Sequence, residues 1–355
     1  MPYYQYLRYL PDKRERARAS QGLLRLKEAI AAEVPKKTIA ENLLIATWNI
    51  REFDSHAYGE RMQEAIYYIA EIIDHFDLVA VQEVNENLYG LNRVMKVLGN
   101  AWEVIYSDTT EGNSGNDERL AFIYDTRKLS FTGLAGELVI PPRKVTEEGA
   151  ETWYEPAEQL ARTPFVIGLR AAWFKFMIST VHIIYGRGVN DDSRRVKEIA
   201  LLSDFLATRA DSRYAHSQNL ILLGDFNIFK PSNDTFQEIV RNFYIPPGIQ
   251  GLPTNVRQNR FYDQIAFRGE VPTAEIEGGV FNYFNHVYRI EDELEYANRM
   301  PATYHNKSEA EDKTRYFKTY WRTHQMSDHL PMWVELKIDF SQDYLENIID
   351  ESSGT

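Results

Sequence analysis

Asp225 and Asn227 stand two residues apart within Asn219–Phe229, NLILLGDFNIF. The run from Leu220 to Gly224 is apolar and closes on glycine, the length of one fully buried strand. Residues two apart on an extended chain project to the same side. The acid and the amide therefore face one place, while Phe226 points away into apolar packing. A carboxylate beside a carboxamide suits a hard cation and an anionic oxygen. The plainer alternative is a turn after a core strand, since Gly, Asp and Asn are turn residues. What separates the two is whether other core strands end the same way.

They do. Leu43–Ile50, LLIATWNI, is an apolar strand with Asn49 near its end. Asp77–Val81 is followed by Gln82 and Glu83, and Glu118-Arg119 precede the strand Leu120–Tyr124. Trp173–Val181 ends on His182 and runs into a Tyr-Gly-Arg-Gly loop. Phe261–Phe267 carries Asp263 on the face of Phe261 and Ile265, where a bare carboxylate needs a partner. Ser327-Asp328-His329 precedes a final strand, Leu330–Ile338. Each residue alone has a structural reading as a first-turn acid, a satisfied histidine or a turn. Nine of them (Asn49, Glu83, Glu118, His182, Asp225, Asn227, Asp263, Asp328 and His329) at the ends of core strands is a pattern that reading does not produce. In a layered sheet, neighbouring strand ends converge on one rim.

The positioning elements follow from periodicity. Gly59–Phe76 repeats Met62, Ala65, Ile66, Ile69, Ile72 and Ile73 on one helical face, and helices are also predicted over 85–98 and 191–208. Strands are expected over 102–107, 128–131 and 165–169. This alternation marks an α/β layered fold. The Gly- and Asn-rich stretch 111–117 and the polar, proline-containing stretch 141–161 read as loops. Residues 1–40 read as an added helical arm ending before Pro35, with Leu23, Leu24, Leu26 and Ile30 on its apolar side. Between Arg8 and Lys27 it has seven Lys or Arg against two acids, which fits either a basic arm at a polyanion or a charged helix packed on the domain. The domain proper spans 41–340 with an insertion near 281–324, and 341–355 reads as a polar, frayed tail. Within the insertion, Lys313, Arg315, Lys318 and Arg322 interleave with Tyr316, Phe317, Tyr320 and Trp321. That suits phosphates and unstacked bases, or equally a helix with aromatics inward and charges outward.

Composition sets outer bounds. The 355 residues are 44% hydrophobic and 13% aromatic, enough for a large core. The net charge of −12 argues against coating nucleic acid by bulk charge, though not against local basic patches. Without cysteine there are no disulfides and no thiolate metal sites. No run reaches the length of a membrane span and no apolar leader opens the chain, so the expected location is cytoplasmic.

Taken in order, Thr47-Trp48-Asn49, Gln82-Glu83, His182, Gly224-Asp225-Phe226-Asn227, Tyr262-Asp263-Gln264-Ile265 and Ser327-Asp328-His329 resemble the endonuclease/exonuclease/phosphatase superfamily over residues 42–338. Glu118-Arg119 and Arg162-Thr163-Pro164 resemble its deoxyribonuclease I-like branch. The chain differs from the secreted members in lacking disulfides and a signal peptide, and in having no proline after His182-Ile183-Ile184-Tyr185. The resemblance implies a four-layer α/β sandwich, with two central, mostly antiparallel sheets flanked by helices and the site at one rim. It implies a metal-dependent phosphodiester hydrolase, most simply an endonuclease cleaving DNA. Hydrolysis of a small or lipid phosphate ester and a non-catalytic binding module are the alternatives. In this scheme Asn49, Glu83 and Asp328 hold Mg²⁺, with Mn²⁺ or Ca²⁺ as substitutes, and Asp225 and Asn227 orient the phosphate or a second ion. Arg162 contacts the phosphate. His182 held by Glu118, and His329 held by Asp263, serve as acid and base, with the order left open.

Overall fold

The structure is a computed structural model and describes residues 1–55, 59–110, 117–146, 152–271 and 276–353. Its order is α1 (Lys13–Glu33), β1 (Asn42–Phe53), α2 (Gln63–His75), β2 (Leu78–Asn85), α3 (Tyr89–Leu98), β3 (Trp102–Tyr106), β4 (Glu118–Asp125) and β5 (Leu129–Glu137). A small hairpin follows, β6 (Arg143–Val145) and β7 (Trp153–Glu155), then β8 (Phe165–Ala171), β9 (Phe174–His182), α4 (Ser193–Ala210), β10 (Leu220–Asp225), α5 (Asp234–Val240), β11 (Asp263–Arg268) and β12 (Glu277–Val280). Short helices α6 (Glu293–Tyr296), α7 (Ala302–His305), α8 (Ala310–Tyr316) and α9 (Arg322–Gln325) come before β13 (Met332–Lys337) and α10 (Ser341–Ser353).

Two sheets form the centre. The first has the order β12-β13-β1-β2-β4-β3 and the second β11-β10-β9-β8-β5. Within each, one pair is parallel, β1 with β2 and β9 with β10, and the other pairings are antiparallel. Period-two alternation between two cores explains why β1 is apolar on both faces from Leu43 to Ala46. Leu43 and Ile45 join the core between the sheets with Phe122, Phe176 and Leu222. Leu44, Ala46 and Trp48 join a second core under α1, α2, α3 and the insertion. Helices α4 and α5 cover the second sheet, completing a four-layer α/β sandwich. Among the described residues, no helix is long and apolar enough to cross a membrane.

Several expectations need correction. The stretch 141–161 carries the β6–β7 hairpin instead of being a plain loop, with 147–151 outside the described residues. Of the predicted loop 111–117, residues 111–116 also lie outside them. The tail is helical from Ser341 to Ser353, because Tyr344, Leu345, Ile348 and Ile349 recur at helical spacing; residues 354–355 are not described. On α1, Leu23, Leu26 and Ile30 are buried, but Leu24 is 68% exposed. The helix lies so close to α2 that a Cβ at Gly22 would overlap the Tyr68 ring. Much of its basic charge faces the protein's own carboxylates: Arg18 meets Glu64 at 3.0 Å, Lys27 meets Glu71 at 3.2 Å and Arg25 meets Asp292 at 3.9 Å. That distribution favours a packed helix over a free polyanion arm.

Candidate active site

The sheet register gathers the polar strand ends. On the second sheet, Asp225 is directly opposite His182 on β9 and Asp263 on β11. On the first, Asn49 pairs with Gln82 across β1 and β2. Both sheets are irregular at this rim. The β1–β2 register slips between Asn49 and Phe53, and the β2–β4 register between Val81 and Val84. Glu52, Glu83 and Asn227 have φ of +46°, +59° and +52°, the sparsely populated left-handed region. Bulges of this kind re-aim side chains that a regular strand would send elsewhere, and such backbone outliers concentrate at functional sites. Gly224, at φ +136°, lets β10 lie against Val181, where a Cβ would overlap the carbonyl oxygen.

One oxygen is the hub. Asp225 Oδ2 accepts from Asn49 Nδ2 at 3.0 Å and lies 3.6 Å from His182 Nε2 and 3.7 Å from His329 Nε2. Its other oxygen accepts from the Asn227 N–H at 2.8 Å. Each imidazole holds a carboxylate on its far nitrogen, His182 Nδ1 to Glu118 at 2.5 Å and His329 Nδ1 to Asp263 at 2.8 Å. Burial opposes the charged form of both rings. For His182 the charge and hydrogen bond of Glu118, with the charge of Asp225, together outweigh burial and raise the pKa. For His329, Asp263 and then Asp225 raise it well above the ordinary value. Asp263 is wholly buried, and burial pushes its carboxyl upward against the pull of His329.

Asn49 and Glu83 form the second half. Asn49 Nδ2 donates to Glu83 Oε1 at 2.9 Å, and the Glu52 N–H donates to Glu83 Oε2 at 2.8 Å. Burial alone would raise the Glu83 pKa, but the charge of His182 and these hydrogen bonds hold it below the ordinary value. Because the Asn49 amide nitrogen faces two carboxylates, its carbonyl Oδ1 is left over, buried and without a partner. An orphaned carbonyl oxygen beside an ionised carboxylate fits a hard cation such as Mg²⁺. Asp328 makes its ion pair elsewhere, its half-exposed carboxylate 3.9 Å from Arg51 Nε. Asp225, Asp263 and His329 also offer ligand atoms within 4.8 Å of one another. There the hydrogen bond between His329 Nδ1 and Asp263 Oδ2 uses one atom of each group, and Asp263 Oδ1 is buried without a partner.

Two expected phosphate contacts have structural work. Arg162 is buried, with Nε 2.9 Å from Glu118 and Nη1 donating to the His182 carbonyl at 3.4 Å, so it braces the Glu118–His182 pair. Asn227 spends an amide donor on the Ile183 carbonyl at 2.8 Å. Ser327, the first residue of the Ser-Asp-His motif, has a role that its position in the sequence does not mark. The Ser327 hydroxyl donates to the Asn49 carbonyl at 2.6 Å and accepts from the His329 and Arg51 N–H groups at 3.0 and 3.1 Å. It ties the strand bearing Asn49 to the segment bearing His329. Gln82 ties sheet to sheet, donating to Thr180 at 2.9 Å and Thr47 at 3.1 Å. Tyr262 stacks on the His329 ring at 5.2 Å.

No protein-family model matches the chain, and no curated protein matches it in sequence. Solved structures do match in fold. A conserved protein of unknown function from Enterococcus faecalis is 15% identical with a TM-score of 0.51, over 84% of this chain and all of that one. A mannosyl-6-phosphatase from Bacteroides thetaiotaomicron is 16% identical with a TM-score of 0.50, over 83% of this chain and 99% of that one. An endonuclease/exonuclease/phosphatase family protein from Leptotrichia buccalis is 16% identical with a TM-score of 0.48, over 84% of this chain and all of that one. The chain thus has the endonuclease/exonuclease/phosphatase fold.

Proposed function

We propose that this chain is a metal-dependent phosphodiester hydrolase whose substrate is DNA, cut within the strand. The catalytic unit on this reading is 41–340, with the N-terminal helix and the 281–324 insertion as additions to it. The carrying observation is the pair of imidazoles, each backed by its own buried carboxylate, that bring both Nε2 atoms within 3.7 Å of one Asp225 oxygen. A carboxylate on Nδ1 holds the proton there and leaves Nε2 to exchange one with substrate or water. One of the two rings, His182 or His329, takes a proton from the attacking water and the other gives one to the leaving oxygen. Asp263 and Glu118 stabilise the cationic form of their partner ring at each stage. Asp225 keeps the two rings in register. Asn49 and Glu83 would hold the divalent cation, which neutralises charge growing on the phosphoryl oxygens.

A second reading, hydrolysis of a small phosphate ester, draws on one fold neighbour being a mannosyl-6-phosphatase. One assay separates them. The purified protein is given plasmid DNA, single-stranded DNA, RNA and bis-p-nitrophenyl phosphate, with Mg²⁺, with Mn²⁺ and with EDTA. Internal cleavage of either DNA that EDTA abolishes and Mg²⁺ restores supports the nuclease. Hydrolysis of the small ester alone supports the second reading, and full activity in EDTA after dialysis removes the metal from the proposal. Glu83→Gln is expected to raise the Mg²⁺ concentration needed for half-maximal rate.

A further inference from the structure

The loop 254–260 is held rigidly against the catalytic segment. Val256 N–H donates to the Asp328 carbonyl at 2.9 Å, and Leu330 N–H to the Thr254 carbonyl at 2.6 Å. Within the loop, Asn255 Oδ1 accepts from the Asn259 and Arg260 N–H groups, both at 2.9 Å. A cavity of about 280 Å³ opens beside it, lined by Tyr185, Arg257, Arg260, Tyr262, Thr319 and Asp328 among others. One wall, Tyr262, is the ring stacked on His329. Arg257 and Thr319 also line a neighbouring cavity of about 600 Å³ with Arg315 and Lys318. The two cavities form one path from the catalytic rim onto the insertion.

The charges along this path are unusual for so acidic a chain. Among the described residues, Arg257, Arg260 and Lys318 have no carboxylate partner, whereas Arg315 is paired with Asp312. Arg260 lies over the Phe229 ring at 4.5 Å, within an aromatic group that includes Tyr185 and Tyr262. The acids on the walls of the path are Asp328, which faces Arg51, and Glu311 in the larger cavity. Lys318 and Thr319 are presented by a π-helical turn, Phe317–Trp321, a distortion common at functional sites. That turn puts Phe317 and Trp321 into the core and leaves Lys318 outside. The basic and aromatic stretch of the insertion is therefore divided between the two roles its sequence allowed.

We infer that this path is a subsite for a single nucleic-acid strand flanking the scissile bond, with Arg257 and Lys318 on successive phosphates and Tyr185 against a base. The inference rests on the phosphodiesterase reading for its catalytic consequence but not for binding. Concave walls of aromatic faces admit bases only when they are unstacked, which selects a single strand over a duplex. With a net charge of −12, attraction must come from a local cluster of this kind.

The test uses the full chain and the double variant Arg257→Gln/Lys318→Gln. Both residues are exposed, so the fold is retained and circular dichroism verifies it. Binding of fluorescein-labelled octathymidylate is followed by anisotropy in EDTA from 50 to 200 mM NaCl. Two lost phosphate contacts reduce the slope of log K against log[salt] by about 1.4 for a single strand. Affinity at 50 mM is expected to fall roughly tenfold or more. The ratio of kcat/KM for octathymidylate to that for bis-p-nitrophenyl phosphate is expected to fall about as far, through KM. An unchanged slope together with an unchanged ratio overturns the subsite and leaves the phosphodiesterase reading standing. If the parent hydrolyses neither substrate, that reading fails and the salt slopes alone decide the subsite. A 12-base-pair duplex bound by the parent as tightly as the strand overturns the single-strand assignment.

Discussion

Replacing Ser327 with alanine removes one small hydroxyl and tests whether the two halves of the site are tied as described. The hydroxyl is wholly buried and makes three hydrogen bonds, all to backbone: the Asn49 carbonyl, the Arg51 N–H and the His329 N–H. Alanine fits the space, so the loss is polar and not steric. Each orphaned buried group costs about 1–3 kcal/mol, and partial relaxation keeps three of them to roughly 2–5 kcal/mol in all. Against a total stability of about 5–15 kcal/mol, that loss is a large fraction and lowers the unfolding midpoint plainly. The same bonds set the spacing of Asn49 from His329, and a misplacement of about 1 Å can cost on the order of 10² in rate. Urea unfolding and diester hydrolysis read the two effects. Ser179→Ala supplies the contrast, because the Ser179 hydroxyl is equally buried but has no partner. Its loss should leave stability nearly unchanged. If Ser327→Ala matches Ser179→Ala in both midpoint and rate, the tie does not hold the site.

His182→Ala and Glu118→Ala each lose roughly 10²–10⁴ in rate, and the double variant is little worse than His182→Ala, since the two act as one unit; multiplicative losses in single-turnover assays would separate them. Arg322→Ala lowers the unfolding midpoint sharply and Lys318→Ala does not. Arg322 is buried, donates to the Tyr288 and Lys318 carbonyls at 3.0 and 3.1 Å and lies over Phe284 at 4.1 Å, while Lys318 is exposed; equal midpoints refute this. Burial pushes the Asp125 carboxyl upward, but Arg127 and Lys37 outweigh it and hold its pKa at about 2. A depressed carboxylate adds stability above its unfolded pKa near 4 and loses it as pH falls through the folded value. Asp125→Asn therefore costs roughly 1–2 kcal/mol at pH 7 after allowance for partial solvent screening. That gap narrows between about pH 4 and pH 2, and a constant gap in urea midpoints measured at pH 7 and pH 3 counts against the assignment.

The sequence by itself determined the strands and most of the candidate site. β1, β9 and β10 are rich in apolar residues and buried along most of their length, and such runs read as buried strands without further context. Their polar ends are conspicuous for the same reason, because Asn49, His182 and Asp225 interrupt otherwise apolar stretches. The helix at Ser341–Ser353 was also within reach, since its apolar residues recur at i, i+1, i+4 and i+5; the surrounding acids obscured it. Only the tertiary structure decided how those ends meet. Glu118 and His182 are 64 residues apart and touch because β4 and β9 lie in facing sheets. The left-handed backbone at Glu83 arises from a register slip between strands, which no local propensity encodes. Arg162 and Arg322 are the same residue type as Arg257. Burial commits Arg162 to Glu118 and the His182 carbonyl and commits Arg322 to backbone carbonyls, whereas the 254–260 loop leaves Arg257 facing a cavity. Apolar periodicity is a local property of the chain. The partner of a charge is set by whatever the fold brings within a few ångströms.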